Sequence, residues 1–385
     1  MQTVKLFEEN PYLSEFTAKV ISCEKENDVY KTILNKTAFF YEGGGQSSDT
    51  GFIGSKTVLD VQLINNEIYH FTDEPTPVGQ EISCKINFHE RYKKMQIHTG
   101  EHIVSGVMHN LFGLENVGFH LGKNEVTLDF NAPLTREQLN TAETEANQII
   151  YKNLPVICYY PSQSQIKNIN YRSKKEISEN LRIVEIKGHD ICACCAPHVK
   201  NTGEVGIIKL INFEKHKNGT RIYMACAQDA LRDYQTISQN NFEISGLLCA
   251  KPYETANAVR SVLLEKEALL HTIGQLKRNI IALKSETVAT SDSPLVLFED
   301  DMDIPNMRNL ANNLKLKRPQ VYIFSQIGNS FNYLCAAKSG MNEFAAKLNQ
   351  TLCGKGGGSD SMVQGTITTT KKDLIEYLNA NIDKF

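Results

Sequence analysis

The stretch IHTGEHIVSG, residues 97–106, places His98 and His102 four residues apart in a run whose apolar positions suit a helix. Residues at positions i and i+4 project from the same face of a helix, so both imidazoles can reach one metal ion. Two further candidate ligands stand far downstream in GHDICACCAPHVK, where Cys194 and His198 repeat the four-residue spacing. Either pair alone is a weak signal, but zinc accepts imidazole and thiolate, and the four residues together predict a shared metal site.

Composition predicts a protein of two or three domains with substantial cores, because the chain has 385 residues and is 41% hydrophobic. The chain has no stretch as long as a membrane span, and its N-terminus is too charged for a signal peptide, which predicts a soluble, cytoplasmic protein without a membrane partner. Scattered cysteines favour metal or thiol chemistry over a disulfide framework. The net charge of −3 is no global sign of nucleic-acid binding. Basic residues cluster at 91–94, 172–175 and 315–318, and each cluster taken singly is interpreted as a solvated face.

The order of the sequence patterns predicts an α+β protein built from successive parts. Short β-branched runs separated by turn-forming residues predict a small N-terminal β-barrel or sandwich. The metal-binding part is also α+β, with a helix through the histidine pair that ends at Gly113 and a second helix capped by Thr135. A long helix or coiled coil and a C-terminal α/β part complete the chain. The predicted parts are residues 1–88, 89–232, 233–290 and 291–385.

An apolar heptad repeat dominates the third part of the chain. It runs from Thr255 to Leu283, with Lys266 as an interruption. Such a repeat predicts a long helix or a coiled-coil hairpin whose role is packing or dimerisation. The repeat consists of Val259, Val262, Leu269, Ile273, Leu276, Ile280 and Leu283.

Two glycine runs are candidates for ligand contact. In TAFFYEGGGQSSDTG, residues 37–51, the glycines expose backbone N–H groups, and Gln46 offers both a donor and an acceptor. An ordinary tight turn explains the same residues. The second run, residues 356–358, follows a predicted helix and is interpreted either as a flexible turn or as a phosphate-binding nest.

Taken together, these motifs resemble the editing domain of alanyl-tRNA synthetases and their free-standing AlaX relatives. The family's EGGGQ…DTG segment stands at residues 42–51, followed in the family's order by the H-x-x-x-H helix, the C-x-x-x-H loop and a TGE-[IV]-G strand at 202–206. The match covers residues 1 to about 230. The second glycine run is similar to the DHH-associated domain at the C-terminus of alanyl-tRNA synthetases and of the long form of AlaX.

The resemblance implies a hydrolase that cleaves the ester of tRNA(Ala) mischarged with serine, with glycine as a further candidate. No synthetase catalytic domain precedes residue 1, so the activity is expected to operate in trans on released tRNA. Zn²⁺ is the implied cofactor. Because four protein ligands fill a tetrahedral site, we favour zinc as an organiser of the site, with water activated by substrate groups or a neighbouring side chain. A homodimer through the 255–283 helix or the C-terminal domain is also predicted.

The resemblance further assigns roles to single residues. Thr37 and Gln46 are the implied catalytic residues, and Thr37 supplies a hydrogen-bonding partner for the serine hydroxyl, which a purely hydrophobic pocket cannot select. A strand position alone also explains a β-branched residue such as Thr37. The implied metal ligands are His98, His102, Cys194 and His198. The implied substrate-binding residues are Gly43, Gly44, Gly45, Arg221, Gly356, Gly357 and Gly358.

The chain departs from the family pattern at two places. Where the family loop commonly reads CGGTH this chain has CCAPH, so Cys195, Ala196 and Pro197 replace two glycines and a threonine. Tyr41 stands where the family usually has proline. The altered loop leaves the metal ligands in place but offers Cys192 or Cys195 as competing thiolate ligands.

Two other classes of protein compete with an editing enzyme. HTGEH also satisfies the H-x-x-E-H pattern of zinc peptidases, with Glu101 as general base, but such an enzyme needs a third, usually acidic, ligand downstream. The second competitor is a non-catalytic tRNA-binding protein in which zinc only stabilises the fold. An open pocket beside the metal that contains Thr37 and Gln46 would favour the enzyme.

Overall fold

The computed structural model describes residues 3–122, 125–173 and 181–382. The Cα positions group into two units, Met1–Phe242 and Glu243–Phe385, and each contains helices and a sheet. This arrangement confirms the mixed α+β class, whereas the division into four parts stays a prediction. Among the described residues, no helix is long and apolar enough to cross a membrane.

The first part of the chain folds into a closed barrel with strand order β2-β3-β7-β6-β5-β8. Alternate residues of its strands point inward and are fully buried, among them Val20, Leu34 and Val61. Asn65 and Asn66 adopt positive φ angles in the tight turn between β6 and β7, which asparagine tolerates better than most residues. The elements are β1 Val4–Lys5, α1 Leu6–Glu9, β2 Glu15–Glu26, β3 Val29–Leu34, β4 Lys36–Thr37, β5 Gly51–Ile53, β6 Lys56–Ile64, β7 Glu67–Thr72 and β8 Glu81–Ile86.

A long buried helix, α2, follows the barrel and carries the histidine pair. As predicted, it ends at Gly113, which takes the left-handed conformation with φ 65° that favours glycine. The predicted cap of helix α3 is also present, because the Thr135 hydroxyl accepts from Gln138 N. The elements are α2 Phe88–Phe112, β9 Asn116–Leu121, β10 Val126–Phe130, α3 Arg136–Tyr151, β11 Val156–Tyr159, α4 Gln163–Ile166, β12 Ile183–Ile186, β13 Asp190–Ala193, β14 Ile208–His216, β15 Gly219–Cys226 and α5 Ala227–Leu247.

Two sheets and the helices α2 and α3 enclose the core of this region. One sheet has the order β14-β15-β10-β9 and the other β11-β12-β13. The core residues of α2, such as Val104 and Met108, belong to one apolar cluster with Ile149 of α3 and Ile222 of β15. The same helix therefore presents its apolar side chains and its histidines to a water-excluded interior.

The TGEVG segment is a 3₁₀ turn, Thr202–Val205, and the predicted strand at this position is wrong. Glu204 explains the turn, because its carboxylate accepts from Asn201 N at 3.1 Å and from the Tyr12 hydroxyl at 2.6 Å. The Thr202 hydroxyl donates to Ile149 O at 2.8 Å and thereby ties the turn to α3. The segment is an anchor between helices and not a part of either sheet.

The second unit contains the helix α6 and a sheet with the order β16-β17-β18-β20-β19. α6 is one continuous helix, and all seven apolar residues of the predicted heptad on it are exposed. The elements are α6 Thr255–Thr287, β16 Leu295–Asp300, α7 Ile304–Leu314, β17 Val321–Ile327, β18 Ser330–Ala336, α8 Met341–Thr351, β19 Lys355–Ser359, β20 Met362–Ile367 and α9 Lys371–Asn381.

The second glycine run is a strand, so both earlier interpretations, a flexible turn and a phosphate-binding nest, are wrong. Residues 356–358 lie in the exposed edge strand β19 and pair antiparallel with β20. A Cβ atom on Gly356 would lie 2.3 Å from Gln364 O and 2.4 Å from the Tyr333 hydroxyl. Glycine is therefore required for β19 to approach its neighbours this closely.

The basic clusters, predicted as solvated faces, are largely engaged in internal contacts. Arg91 is 1% exposed and forms an ion pair with Asp49 of the first glycine-rich segment. Lys317 donates to carbonyl oxygens at and just beyond the end of α6, at 2.7 to 3.1 Å. Lys174 and Lys175 of the middle cluster lie outside the described residues.

Candidate metal and active site

The predicted metal ligands lie together in the interior of the first unit. One ligand atom from each of His98, His102, Cys194 and His198 lies within 4.8 Å of the others. Cys194 Sγ is 3.5 Å from His98 Nε2 and 3.4 Å from His198 Nε2. The histidines are at most 2% exposed, so the cluster is shielded from bulk water.

Two structural elements bring the ligands together from opposite sides. His98 and His102 project from one face of α2, whereas Cys194 and His198 lie on the loop that follows β13. Arg182 holds this loop, because its Nη1 donates to the carbonyl oxygens of Cys194 and Ala196, each at 2.9 Å. Sequence reasoning missed Arg182, and its signal was a cation next to the apolar residues Leu181, Ile183 and Val184.

Each histidine uses its Nδ1 atom for a hydrogen bond that leaves Nε2 toward the cluster. His98 Nδ1 donates to Gln46 Oε1 at 2.9 Å, and His102 Nδ1 donates to Asp190 Oδ2 at 2.9 Å. His198 Nδ1 lies 3.0 Å from the hydroxyl of Thr99. Such outer partners fix the ring orientation of metal-binding histidines and raise their basicity.

Asp190 is interpreted as a hydrogen-bond partner of the metal ligand His102 and not as a metal ligand itself. Its Oδ1 accepts from Arg172 Nε at 2.7 Å, while its Oδ2 accepts from His102. His102, Asp190 and Cys192 also have ligand atoms within 4.8 Å of one another. A guanidinium bound to Asp190 disfavours a second cation at this place. Cys192 is accordingly not expected to replace Cys194, and sequence reasoning missed Asp190 in GHDIC.

Electrostatics also prepare the residues for a divalent cation. Burial, together with His102 and His98, holds the pKa of His198 well below its usual range, so this imidazole is neutral and can coordinate. Burial raises the pKa of Cys194, and a bound cation is what would stabilise its thiolate. Neutral imidazoles and one thiolate are a donor set that fits zinc.

The first glycine run forms a tight turn packed directly against the cluster. Gly43 and Gln46 exchange backbone hydrogen bonds at 3.0 Å. Gly44 and Gly45 adopt left-handed φ angles of 63° and 83°. A Cβ atom on Gly45 would lie 2.6 Å from Phe119 O, and one on Gly44 would lie 3.7 Å from His98 Cε1. The turn interpretation is therefore correct, and the turn borders the metal cluster.

Gln46 connects this turn to the metal cluster and to an adjacent cavity. Its Oε1 accepts from His98, and among the described residues its buried Nε2 has no hydrogen-bond partner. Gln46 also lines a cavity of about 400 Å³ with Gly43, Gly45 and His120. A fixed amide with an available donor beside a cavity can bind a carbonyl or an oxyanion.

Thr37 and Arg221 are not among the residues that line this cavity. Thr37 is fully buried in the barrel, where its hydroxyl lies 2.8 Å from His70 Nε2. Arg221 on β15 forms a bidentate pair with Asp129 on β10, at 2.7 and 2.8 Å. Gly356, Gly357 and Gly358 lie in the second unit.

A larger cavity of about 1130 Å³ shares Ser47, His120 and Leu121 with the smaller one. Its lining mixes both signs of charge, because Lys93 and Arg232 both pair with Asp229 at 2.9 and 3.3 Å. The two cavities therefore border the same residues beside the glycine turn. The larger cavity alone has more space than an amino acid requires.

The geometry disfavours the peptidase alternative. The remaining ligands are Cys194 and His198, where a zinc peptidase of this pattern uses an acidic residue. Glu101 Oε1 accepts from Asn116 at 2.7 Å and from Ser105 at 2.9 Å, which holds this carboxylate in the helix interior.

Comparison with known proteins identifies relatives along nearly the whole chain. Residues 181–223 match the family model described as the threonyl and alanyl tRNA synthetase second additional domain. The chain is 28% identical to the alanyl-tRNA editing protein AlaX-L of Pyrococcus horikoshii, over 97% of this chain and 96% of that protein. It is also 28% identical to the alanyl-tRNA editing protein Aarsd1-B of Xenopus laevis, over 92% of this chain and 91% of the relative. The resemblance to alanyl-tRNA editing proteins is confirmed.

Alanine–tRNA ligases match only in part of their length. The ligase of Methanococcus aeolicus is 29% identical over 99% of this chain, which corresponds to 43% of the ligase. Among solved structures, the C-Ala domain of alanyl-tRNA synthetase from Aquifex aeolicus aligns with 24% of this chain at 20% identity and a TM-score of 0.21. That score is too low to indicate a shared fold.

Proposed function

We propose that this protein is a free-standing aminoacyl-tRNA hydrolase that cleaves the ester of seryl-tRNA(Ala) in trans. One observation carries the proposal: Gln46 joins the glycine turn, the buried His and Cys cluster, and a cavity through one fixed amide. The similarity to alanyl-tRNA editing proteins over more than nine tenths of their length supports the same activity. Glycine on the same tRNA remains a second candidate substrate.

The residues around the cavity suit ester hydrolysis. Attack of water on the ester carbonyl places negative charge on the carbonyl oxygen, and the 2′- or 3′-oxygen of the ribose leaves with a proton. We assign Gln46 Nε2 as the donor to that oxygen, because Oε1 already accepts from His98 and Nε2 has no hydrogen-bond partner among the described residues. The amide cannot rotate without losing this bond, so its donor is held in place before substrate arrives.

A metal ion fits the cluster of His98, His102, Cys194 and His198, and we propose zinc. When bound, zinc would supply a rigid, positively charged centre that orders the site. The chain's own residues do the remaining work: Asp190 and Gln46 orient two imidazoles, and the buried surroundings exclude bulk water from the cluster.

Selection of serine is assigned to Thr37, whose hydroxyl can hydrogen-bond the serine side chain and cannot do so with alanine. Supporting this assignment, the barrel core next to Thr37 includes Phe39 and Ala196, and Cys194 packs against the same cluster. The barrel interior and the metal-binding loop are thus neighbours. A site with a partner for a hydroxyl discriminates against substrates that lack one.

Further parts of the chain are assigned to tRNA and to self-association. We assign Arg221 and the 356–358 strand to tRNA contact, and the larger cavity to the 3′ end of the tRNA. The exposed apolar residues of α6 are assigned to a homodimer interface. The cytoplasm, where charged tRNA is available, is the proposed location.

The proposal is tested by single-turnover deacylation of seryl-tRNA(Ala) with Gln46→Leu and Gln62→Leu variants. Both glutamines line the smaller cavity, but only Gln46 bonds to His98. We expect Gln46→Leu to lose about 10²- to 10³-fold in rate, the usual effect of removing an oxyanion donor, and Gln62→Leu to stay near wild type. Equal rates for all three proteins would contradict the role of Gln46. A metal-loaded wild type that binds tRNA but hydrolyses no ester would favour the non-catalytic tRNA-binding alternative.

A further inference from the structure

The barrel interior contains a fully buried histidine that the chemistry described above does not use. His70 on β7 is 0% exposed. Its Nε2 lies 2.8 Å from the Thr37 hydroxyl, and its Nδ1 lies 3.2 Å from Thr32 O. The ring also packs edge-on against Phe39, with centroids 5.5 Å apart. A polar ring enclosed in this way depends on both hydrogen bonds for its place in the core.

These contacts determine where the protons lie. A carbonyl oxygen can only accept, so the proton of the imidazole is on Nδ1 and is donated to Thr32 O. Burial lowers the pKa of His70 to about 4, so the ring carries a single proton at neutral pH. Nε2 then carries a lone pair and no proton, so the Thr37 hydroxyl must donate to it.

These contacts use most of the hydrogen-bonding positions of the Thr37 hydroxyl. Its only proton is given to His70, and one of its two acceptor positions is used by Phe39 N–H at 3.1 Å. A hydroxyl has one donor and two acceptor positions. What remains to Thr37 among the described residues is a single acceptor position.

We propose that His70 is a positioning residue for substrate selection, because it makes Thr37 an acceptor and not a donor toward the acyl group. This inference rests on the proposed function, in which Thr37 contacts the amino acid. A serine side chain can donate to the remaining position, whereas the methyl group of alanine cannot. Without His70 the Thr37 hydroxyl could either donate or accept. With His70 in place it can only accept, and it therefore favours a substrate whose side-chain hydroxyl donates.

The test compares His70→Phe with His70→Gln in the full-length, metal-loaded protein. Phenylalanine keeps a ring against Phe39 but offers no acceptor, whereas glutamine places an amide oxygen where Nε2 stood. The readout is the ratio of single-turnover rates for seryl- and alanyl-tRNA(Ala). We expect His70→Phe to lower this ratio by roughly tenfold, the worth of one hydrogen bond, mainly through the seryl ester. His70→Gln should keep the ratio within about threefold of wild type.

Two results would overturn the inference while leaving the proposed function intact. A purely structural role predicts equal losses for both esters in His70→Phe, with an unchanged ratio. A second measurement does not depend on hydrolysis: ¹⁵N NMR of the His70 ring should show a protonated Nδ1 and a bare Nε2 at neutral pH. A proton on Nε2 would overturn the inference even in an active enzyme. A third outcome is that NMR shows the predicted tautomer but the protein hydrolyses neither ester. That outcome would overturn the proposed function, and the selection role with it.

Discussion

Asp190 shows that the metal site depends on residues that do not themselves bind the metal. It accepts from His102 on one oxygen and from Arg172 on the other. We predict that Asp190→Asn weakens metal binding by about 10- to 100-fold, the usual effect of losing an outer partner of a histidine ligand. Competition with a chromophoric zinc chelator measures the dissociation constant.

Asp129→Asn is the matched control for this prediction. Asp129 also pairs with an arginine, Arg221, but within the described part of the chain it has no hydrogen bond to a metal-binding histidine. Its substitution should leave the metal affinity unchanged. Equal affinities for wild type and both variants would show that Asp190 does not orient His102.

His70 makes a separate prediction about acid stability. Its pKa is lowered from 6.5 to about 4 by burial, so the unfolded chain takes up the proton first as the pH falls. Stability from this group is complete above about pH 6.5 and is lost down to about pH 4, by about 3 kcal/mol at 1.36 kcal/mol per pKa unit. His70→Gln does not titrate and should lose less stability over this range. Urea unfolding of both proteins at pH 7 and pH 4 measures the difference, and parallel losses would contradict the assignment.

Local spacing was sufficient to predict the ligands but not their partners. His98 and His102, or Cys194 and His198, are separated by one helical turn or a short loop, so their proximity is visible in the sequence. Thr99 and Arg182 act through contacts that only the folded chain brings together. Thr99, for example, meets His198 across 99 positions of sequence. No local pattern indicates such a pair.

At the scale of elements, the glycine turn depends on the close approach of strand β9. Gly45 has a φ of 83° and would place a Cβ atom 2.6 Å from Phe119 O. We predict that Gly45→Ala lowers the free energy of unfolding by about 2–4 kcal/mol, from backbone strain plus displacement of β9. Urea denaturation measures the change.

Gly79→Ala separates strain from the close contact. Gly79 has nearly the same φ, 82°, but among the described residues, apart from its chain neighbours, no atom lies within 4 Å of the position of a Cβ. Alanine there should cost only about 1 kcal/mol. If the two variants lose the same stability, the contact with β9 contributes nothing to the turn.

The elements that sequence reasoning misjudged share a physical cause. The TGEVG segment contains residues compatible with a strand, but Glu204 captures N–H and hydroxyl donors that only the folded chain supplies. The second glycine run seemed suited to a turn, yet it pairs with β20, and the Tyr333 hydroxyl lies where a Cβ atom on Gly356 would need space. In contrast, the helix end at Gly113 and the cap at Thr135 depend on neighbouring residues alone and were predicted correctly.

At the scale of the whole molecule, the exposed apolar face of α6 predicts self-association. Leu269 and Ile273 are 56% and 48% exposed, and the other members of the heptad are exposed as well. We predict that a Leu269→Glu, Ile273→Glu variant sediments as a monomer at concentrations where the wild type is a dimer. His271→Glu with Arg278→Glu, on the same helix but outside the heptad, is the control and should not change the sedimentation coefficient. A monomeric wild type would contradict the dimer.

The most direct test of the central claim compares the loss of serine and of alanine from the same tRNA(Ala). Single-turnover deacylation is measured with the metal-loaded wild type and with a Cys194→Ala, His198→Ala variant. The proposed function predicts rapid loss of serine, slow loss of alanine, and no hydrolysis above the uncatalysed rate by the variant. Equal rates for both esters, or no hydrolysis of either by the wild type, would contradict it.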